Sequence, residues 1–291
     1  MTKQQSPLDG RVAVVTGAAR GLGEAVAREL ARRGARLALL GLEEEELARV
    51  AASLPTTAKH WFVDVTDDDA MRHVADEVRR SLGPPSVVVA NAGIAEGGPF
   101  DESDPALWRR VIEVNLIGSA ITLRSFLPSL TATHGYYLQI ASLASIGASP
   151  MMSAYCASKA GVESFVHAMG AELAPRATGV GIAYLNWMDT DMIRDADQHA
   201  VLRELRSKMP RPARKVHPVD VVAARLANAV ERRSPAVYVP AWLSMVQVVR
   251  AALPPLVTRL ARRSLTRTSF APTGALGTGG QVAVHRSNFV S

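Results

Sequence analysis

Cysteine is almost absent from this 291-residue chain: Cys156 stands alone, which excludes an intrachain disulfide framework and fits a reducing compartment. The opening residues, MTKQQSPLDG, lack the apolar core of a signal peptide, so a cytoplasmic protein is expected. The seven histidines show no metal-ligand spacing, and no metal site is expected. After Pro240 there is no Asp or Glu at all, although Arg250, Arg259, Arg262, Arg263, Arg267 and Arg286 fall there. The other 27 basic residues match the 27 acidic ones, so the net charge of +6 belongs to the C-terminal end. A neutral body argues against a nucleic-acid-binding surface. The apolar stretch AWLSMVQVVRAALPPLVTRLARR after Pro240 is too interrupted, by Arg250 and Pro254-Pro255, to cross a bilayer.

What is present is a rhythm. Apolar, β-rich runs recur at RVAVVTG (11–17), ARLALLG (35–41), KHWFVDV (59–65), PSVVVANAG (85–93), GYYLQIAS (135–142), GVGIAYLN (179–186) and AVYVP (236–240). Most are continuous rather than alternating, as expected of strands covered by helices on both faces. Helix-like stretches separate them, which predicts an α/β doubly wound, seven-stranded parallel sheet in a single domain over residues 1–240. Residues 189–215 interrupt the alternation and read as an insertion that covers a cleft. Residues 241–265 read as a basic amphipathic segment, and residues 266–291, rich in Gly, Ser, Thr and Ala, are expected to lack regular structure.

The first strand runs into Thr16-Gly17-Ala18-Ala19-Arg20-Gly21-Leu22-Gly23 and then into a helix. Strand, glycine turn and helix together suit a pyrophosphate: glycines allow close backbone approach, and a helix N-terminus favours an anion. The acidic residue that would bind the ribose 2′-hydroxyl of NAD is missing from the end of the second strand, where Gly41 and Leu42 stand. Arg20, inside the turn, suits a 2′-phosphate, so the electrostatics lean toward NADP. NAD is the alternative, since Glu43 to Glu46 follow at once and one of them could reach the ribose, although a solvated first helical turn explains them too. Asp64 closes the third strand, placed to accept a hydrogen bond from an adenine amino group.

Chemistry is carried by Ser142, at the end of the fifth strand, and by Tyr155 and Lys159, one helical turn apart in SAYCASKAG (153–161). Ligands of doubly wound sheets sit outside the carboxyl ends of the strands, so Ser142 is expected to face the cleft, with Tyr155 opposite. A phenol is a poor base near neutral pH; a neighbouring ammonium, near a cationic nicotinamide, is expected to favour phenolate and lower its pKa. Tyr155 would then exchange a proton with a carbonyl or alcohol oxygen, Ser142 would hold that oxygen, and Lys159 would tune Tyr155 and anchor the nicotinamide ribose. Cys156 reads as helix packing rather than as a nucleophile.

With these motifs in order, TGAARGLG (16–23), DV (64–65), NAG (91–93), Asn115 in VNLIG, Ser142 and YCASK (155–159), the sequence resembles the short-chain dehydrogenases/reductases over about residues 9–240. The resemblance implies a seven-stranded Rossmann fold and cofactor contacts at Val65 and at Asn91, Ala92 and Gly93. It also implies that Asn115 kinks its helix and holds a water in a relay to Lys159, and that Thr190 touches the nicotinamide carboxamide. A homodimer or homotetramer formed through the helices at 104–130 and 153–174 is a further implication. One departure is plain: Leu185-Asn186 stand where the family has Pro-Gly, and Asn186 is expected to keep the turn by tolerating left-handed backbone.

Around the reacting carbon the expected residues include Leu143, Met152, Trp187, Met188 and Met192, mostly apolar, which points to a small lipophilic substrate. The basic C-terminal segment suits a lid over the cleft, a subunit contact or a membrane-surface contact. Two rival functions are a dinucleotide-binding regulatory protein without catalysis and, with less support from the glycine spacing, a sugar-nucleotide epimerase or dehydratase.

Overall fold

The computed structural model describes residues 6–264 and 271–287. Its seven strands are β1 (Val12–Thr16), β2 (Arg36–Gly41), β3 (Ala58–Phe62), β4 (Val87–Ala90), β5 (Tyr136–Ile140), β6 (Gly179–Leu185) and β7 (Ala236–Val239). They form one parallel sheet in the order β3-β2-β1-β4-β5-β6-β7, with Val14 opposite Ala38 on one side and Val88 on the other. The order reverses beside β1, and a crevice opens there at the strands' carboxyl ends.

Every residue of β1, β4 and β5 is buried, which is why these runs are apolar without alternation. Successive side chains still point to opposite faces. Val12 and Val14 enter the core beneath α3 (Asp68–Leu82), α4 (Pro105–Ile112), α5 (Gly118–Ala132) and α7 (Ser153–Leu173). Ala13 and Val15 enter the core beneath α1 (Gly21–Arg32), α2 (Glu44–Ser53) and α10 (Val219–Arg232). Between α4 and α5 the chain makes a single π-helical turn, Glu113–Ile117, whose extra residue re-aims Asn115 into the protein.

The short α6 (Leu143–Ile146) follows β5, and α8 (Asp191–Ala196) and α9 (Ala200–Lys208) build the insertion after β6. Beyond β7 come α11 (Leu243–Val248), α12 (Leu253–Ser264) and α13 (Gly277–Ser287). The tail therefore departs from the expectation of irregular chain. Thr273 N–H donates to Gly97 O at 2.8 Å, Leu276 N–H to Ala95 O at 2.9 Å, and Ala283 is 3% exposed. Small residues let α13 lie close to the domain: a Cβ on Gly277 would come within 2.9 Å of the Met192 backbone. The other parts of the expected irregular tail, 266–270 and 288–291, with Arg267, lie outside the described residues.

Candidate active site

A cavity of about 870 Å³ runs along the carboxyl ends of the strands from β3 to β6. At one end lies the turn between β1 and α1. Gly17 and Gly21 have φ of +63° and +56°, and a Cβ on Gly23 would sit 2.0 Å from Gly17 O, so the backbone admits only glycine at this crossing. No side chain caps α1, whose N-terminal end begins beside the cavity at Gly21 and Leu22. Uncapped N–H groups and a close-packed glycine turn fit a dinucleotide pyrophosphate.

Gly17, Arg20, Gly21, Leu22, Gly41, Asp64, Val65, Asn91, Ala92, Gly93 and Thr190 all line this cavity. Thr16 and Gly23 stand behind its wall. Thr16 Oγ1 accepts from the backbone N–H of Asn91 and Ala92, each at 3.0 Å, and Asn91 Nδ2 donates to Thr16 O at 3.0 Å. These bonds brace β1 against β4, so Thr16 supports the site from inside the protein. Asp64 is already engaged: its Oδ1 accepts from Thr66 N–H and Oγ1 at 2.9 and 2.7 Å, and its Oδ2 pairs with the buried Arg110. Arg110 was invisible in the sequence because its partner lies on another element.

Arg20 does not point an unshared charge into the cavity. Its Nε donates to Glu43 at 2.8 and 3.0 Å and its Nη1 to Asp191 at 3.1 Å. Glu43 is the better buried partner, its side chain 14% exposed against 31% for Arg20. The sequence offered Glu43 as one of four equivalent acidic residues; the turn into α2 selects it.

Toward the middle of the cavity stand Ser142, Tyr155 and Lys159, with Leu143, Met152, Trp187 and Met188 around them. Ser142 caps α6, its Oγ accepting from Ala144 N–H at 3.2 Å, which leaves the hydroxyl hydrogen for an oxygen across the cleft. Tyr155 opens α7. Its ring lies under the Lys159 ammonium at 5.6 Å from the centroid, and Lys159 Nζ donates to Ile140 O at 3.2 Å. A Cβ on Gly93 would be 3.5 Å from that ammonium, so glycine there gives the lysine room.

Burial pushes the Tyr155 phenol up to about 12, and only a hydrogen bond with Ser142 works against it. Burial also pulls the Lys159 ammonium down to about 8. Both shifts have burial as their largest cause.

Asn115 lies off the cavity, fully buried. Its Oδ1 accepts from Ile94 N–H at 2.8 Å, and its Nδ2 donates to Ile94 O and Ser158 Oγ, each at 2.9 Å. Ser158 Oγ in turn donates to Tyr155 O at 2.8 Å. The π-helical turn thus ties the end of β4 to the turn of α7 that carries Tyr155, and the Asn115 amide is used in positioning rather than in the cavity.

Asn186 also behaves differently from expectation. It is absent from the positive-φ residues, and instead its Nδ2 donates to Ala213 O at 2.9 Å. The departure from Pro-Gly thereby anchors the inserted segment to β6. Trp187 lies on the cavity wall with the Arg206 guanidinium 5.7 Å over its ring. Cys156 exchanges weak hydrogen bonds with the Ser149 backbone, and burial raises its thiol pKa, as a packing role requires.

Residues from the insertion (Leu202, Leu205, Met209), from the segment after β7 (Trp242, Val246, Leu253) and from α13 (Gly279, Gly280) complete the cavity. Periodicity alone could not assign them, because each reaches the cavity only through packing between distant elements. Among the described residues no cluster of His, Cys, Asp and Glu could hold a metal.

A family model described as short chain dehydrogenase matches residues 11–200. The chain belongs to the short-chain dehydrogenase family. It is therefore an oxidoreductase of a family that generally uses a nicotinamide dinucleotide, NAD or NADP. Among relatives of this short-chain dehydrogenase, the cis-4-hydroxycyclohexanecarboxylate dehydrogenase of Sinomonas cyclohexanicum is 33% identical, covering 76% of this chain and 92% of its own. The galactitol 2-dehydrogenase (L-tagatose-forming) of Cereibacter sphaeroides is 33% identical, covering 75% of this chain and 87% of its own. A solved structure, gox2181, superposes with a TM-score of 0.72 over 79% of this chain and 94% of its own, at 22% identity, and supports the fold alone.

Proposed function

We propose that this short-chain dehydrogenase interconverts a carbonyl and an alcohol on a lipophilic small molecule, with Tyr155 as the general acid and base. The observation that carries the reading is the single cavity in which the glycine turn lies at one end and Ser142, Tyr155 and Lys159 share a wall. The dinucleotide, when bound, supplies or accepts the hydride. Ser142 donates its hydroxyl hydrogen to the reacting oxygen, and Tyr155 gives that oxygen its proton. Lys159 lies against Gly93 and Ile140, in position to hold a ribose hydroxyl.

Three named relatives act, by their names, on a cyclohexane acid, a butanediol and galactitol. The apolar side chains around the reacting centre here, Leu143, Met152, Met188 and Met192 among them, support a less polar substrate. For the dinucleotide the proposed reading is NAD rather than the NADP toward which the sequence leans, and the contacts of Arg20 support it. Arg20 is already matched by two carboxylates, and a 2′-phosphate of charge about −1.5 to −2 would stand beside Glu43. Glu43 accepts ribose hydroxyls more readily than it tolerates that phosphate.

Self-association through α4, α5 and α7 is part of the proposal, with Ile117 48% exposed on that face. A lone, half-buried thiol at Cys156 accords with a cytoplasmic setting. The test is Tyr155→Phe: turnover of a panel of lipophilic ketones should fall by at least about a thousandfold. Dinucleotide affinity, read by fluorescence titration, should stay within about threefold. Near-normal turnover in this variant would overturn the reading, whereas dinucleotide binding by the unmodified protein with no turnover of any substrate would favour the non-catalytic alternative.

A further inference from the structure

The helices after β7 are two-faced. On α11 the inward residues are Leu243, fully buried, and Val246, while Met245 and Val248 point outward, 73% and 84% exposed. Val249, 55% exposed, continues the outward face, and Leu256 on α12 is 53% exposed. Four of the eight large exposed apolar side chains among the described residues thus lie within twelve positions. Arg259 and Arg262 are exposed on α12, and Leu256 and Arg259 follow the i, i+3 spacing of one helix face. No carboxylate occurs anywhere in the chain after Pro240.

We propose that the outward face of α11 and α12 docks on an anionic lipid bilayer, with Met245, Val248 and Leu256 entering the interface and the arginines meeting lipid phosphates and carboxylates. Apolar side chains flanked by cations with no intervening acid are the complement of such a surface. A second copy of the chain is a poorer occupant, because a two-fold contact would set this arginine-bearing segment, which has no Asp or Glu, against an identical one. Leu256 is both exposed and part of the cavity wall, so the cavity opens on the docking face. Docking stands on this surface alone. Delivery of a lipophilic substrate through that mouth rests on the function proposed above.

The test is co-sedimentation of the full chain with vesicles of phosphatidylcholine containing about a quarter phosphatidylserine, against vesicles of phosphatidylcholine alone. Partitioning should be at least about tenfold stronger on the anionic vesicles and should weaken as salt is raised. The pair Arg259→Glu and Arg262→Glu should reduce it by about tenfold or more, and Val248→Asp should reduce it on its own. Circular dichroism and dinucleotide binding, unchanged in both variants, show that they fold. Equal recovery with both vesicle types would overturn the proposal. So would a concentration-dependent dimer, seen by sedimentation velocity, that Val248→Asp dissociates while the unmodified protein ignores vesicles. Loss of enzymatic turnover with vesicle binding intact would count against the function and leave the docking standing.

Discussion

Replacing Arg250 by methionine removes one half of a buried pair and tests whether the segment after β7 supports catalysis. Arg250 Nη1 donates to Glu163 Oε1 at 2.8 Å and its Nη2 to Ser145 O at 3.0 Å. The Glu163 side chain is 4% exposed and that of Arg250 41%. Stranding a fully buried charge costs about 3–5 kcal/mol, whereas an exposed pair is worth about 0–1. With one partner buried and the other half in water, and with Tyr184 Oη and Gln247 Nε2 still donating to Glu163 at 2.8 and 2.6 Å, the loss falls near 2 kcal/mol, an order-of-magnitude figure set between those limits. For a chain of this size that lowers Tm by about 4–8 °C.

The Ser145 carbonyl also loses its donor. Since the Ser145 hydroxyl accepts from Ser142 N–H at 3.4 Å, a displaced α6 should lower kcat by several-fold. The assay is urea unfolding and steady-state kinetics of Arg250→Met in two backgrounds, the unmodified chain and Glu163→Gln. With no buried charge to strand, the second background should lose at least about 1 kcal/mol less. An equal loss in both, or a kcat unchanged in Arg250→Met, would refute the reasoning.

Glu43→Ala should release Arg20 and raise the affinity for NADPH relative to NADH by about tenfold or more, measured by fluorescence titration; an unchanged ratio would remove Glu43 from cofactor selection. Lys159→Met should alter the pH dependence of stability in protein without added dinucleotide. The folded pKa of Lys159, about 8, lies below its unfolded value of 10.5, so between these pH values the unfolded chain binds more protons and stability rises with pH. That rise, of the order of 3 kcal/mol, should be missing from urea titrations of the variant. Gly277→Val meets the Met192 backbone and a φ of +72°, so α13 should leave the cavity wall. Dinucleotide dissociation in stopped flow should then be several-fold faster, and an unchanged rate would mean that α13 does not hold the bound molecule.

The parallel sheet, the glycine turn, and the Ser142, Tyr155 and Lys159 set were legible in the sequence because each rests on local pattern: continuous apolar runs set between helix-like stretches, a turn that only glycine fits, and two side chains one helical turn apart. What those groups do electrostatically was decided by tertiary structure. Arg20 meets Glu43 and Asp191, Asp64 meets Arg110, and Glu163 meets Arg250, pairs 23 to 171 residues apart that no periodicity announces. Burial, a property of the packed whole, raises the Tyr155 phenol and lowers the Lys159 ammonium, which spacing alone does not announce. The C-terminal residues show the same division. Their composition is that of irregular chain, yet Leu276 finds the Ala95 carbonyl across 181 positions and α13 becomes part of the cavity, because contacts made by the folded domain outweigh a weak local propensity.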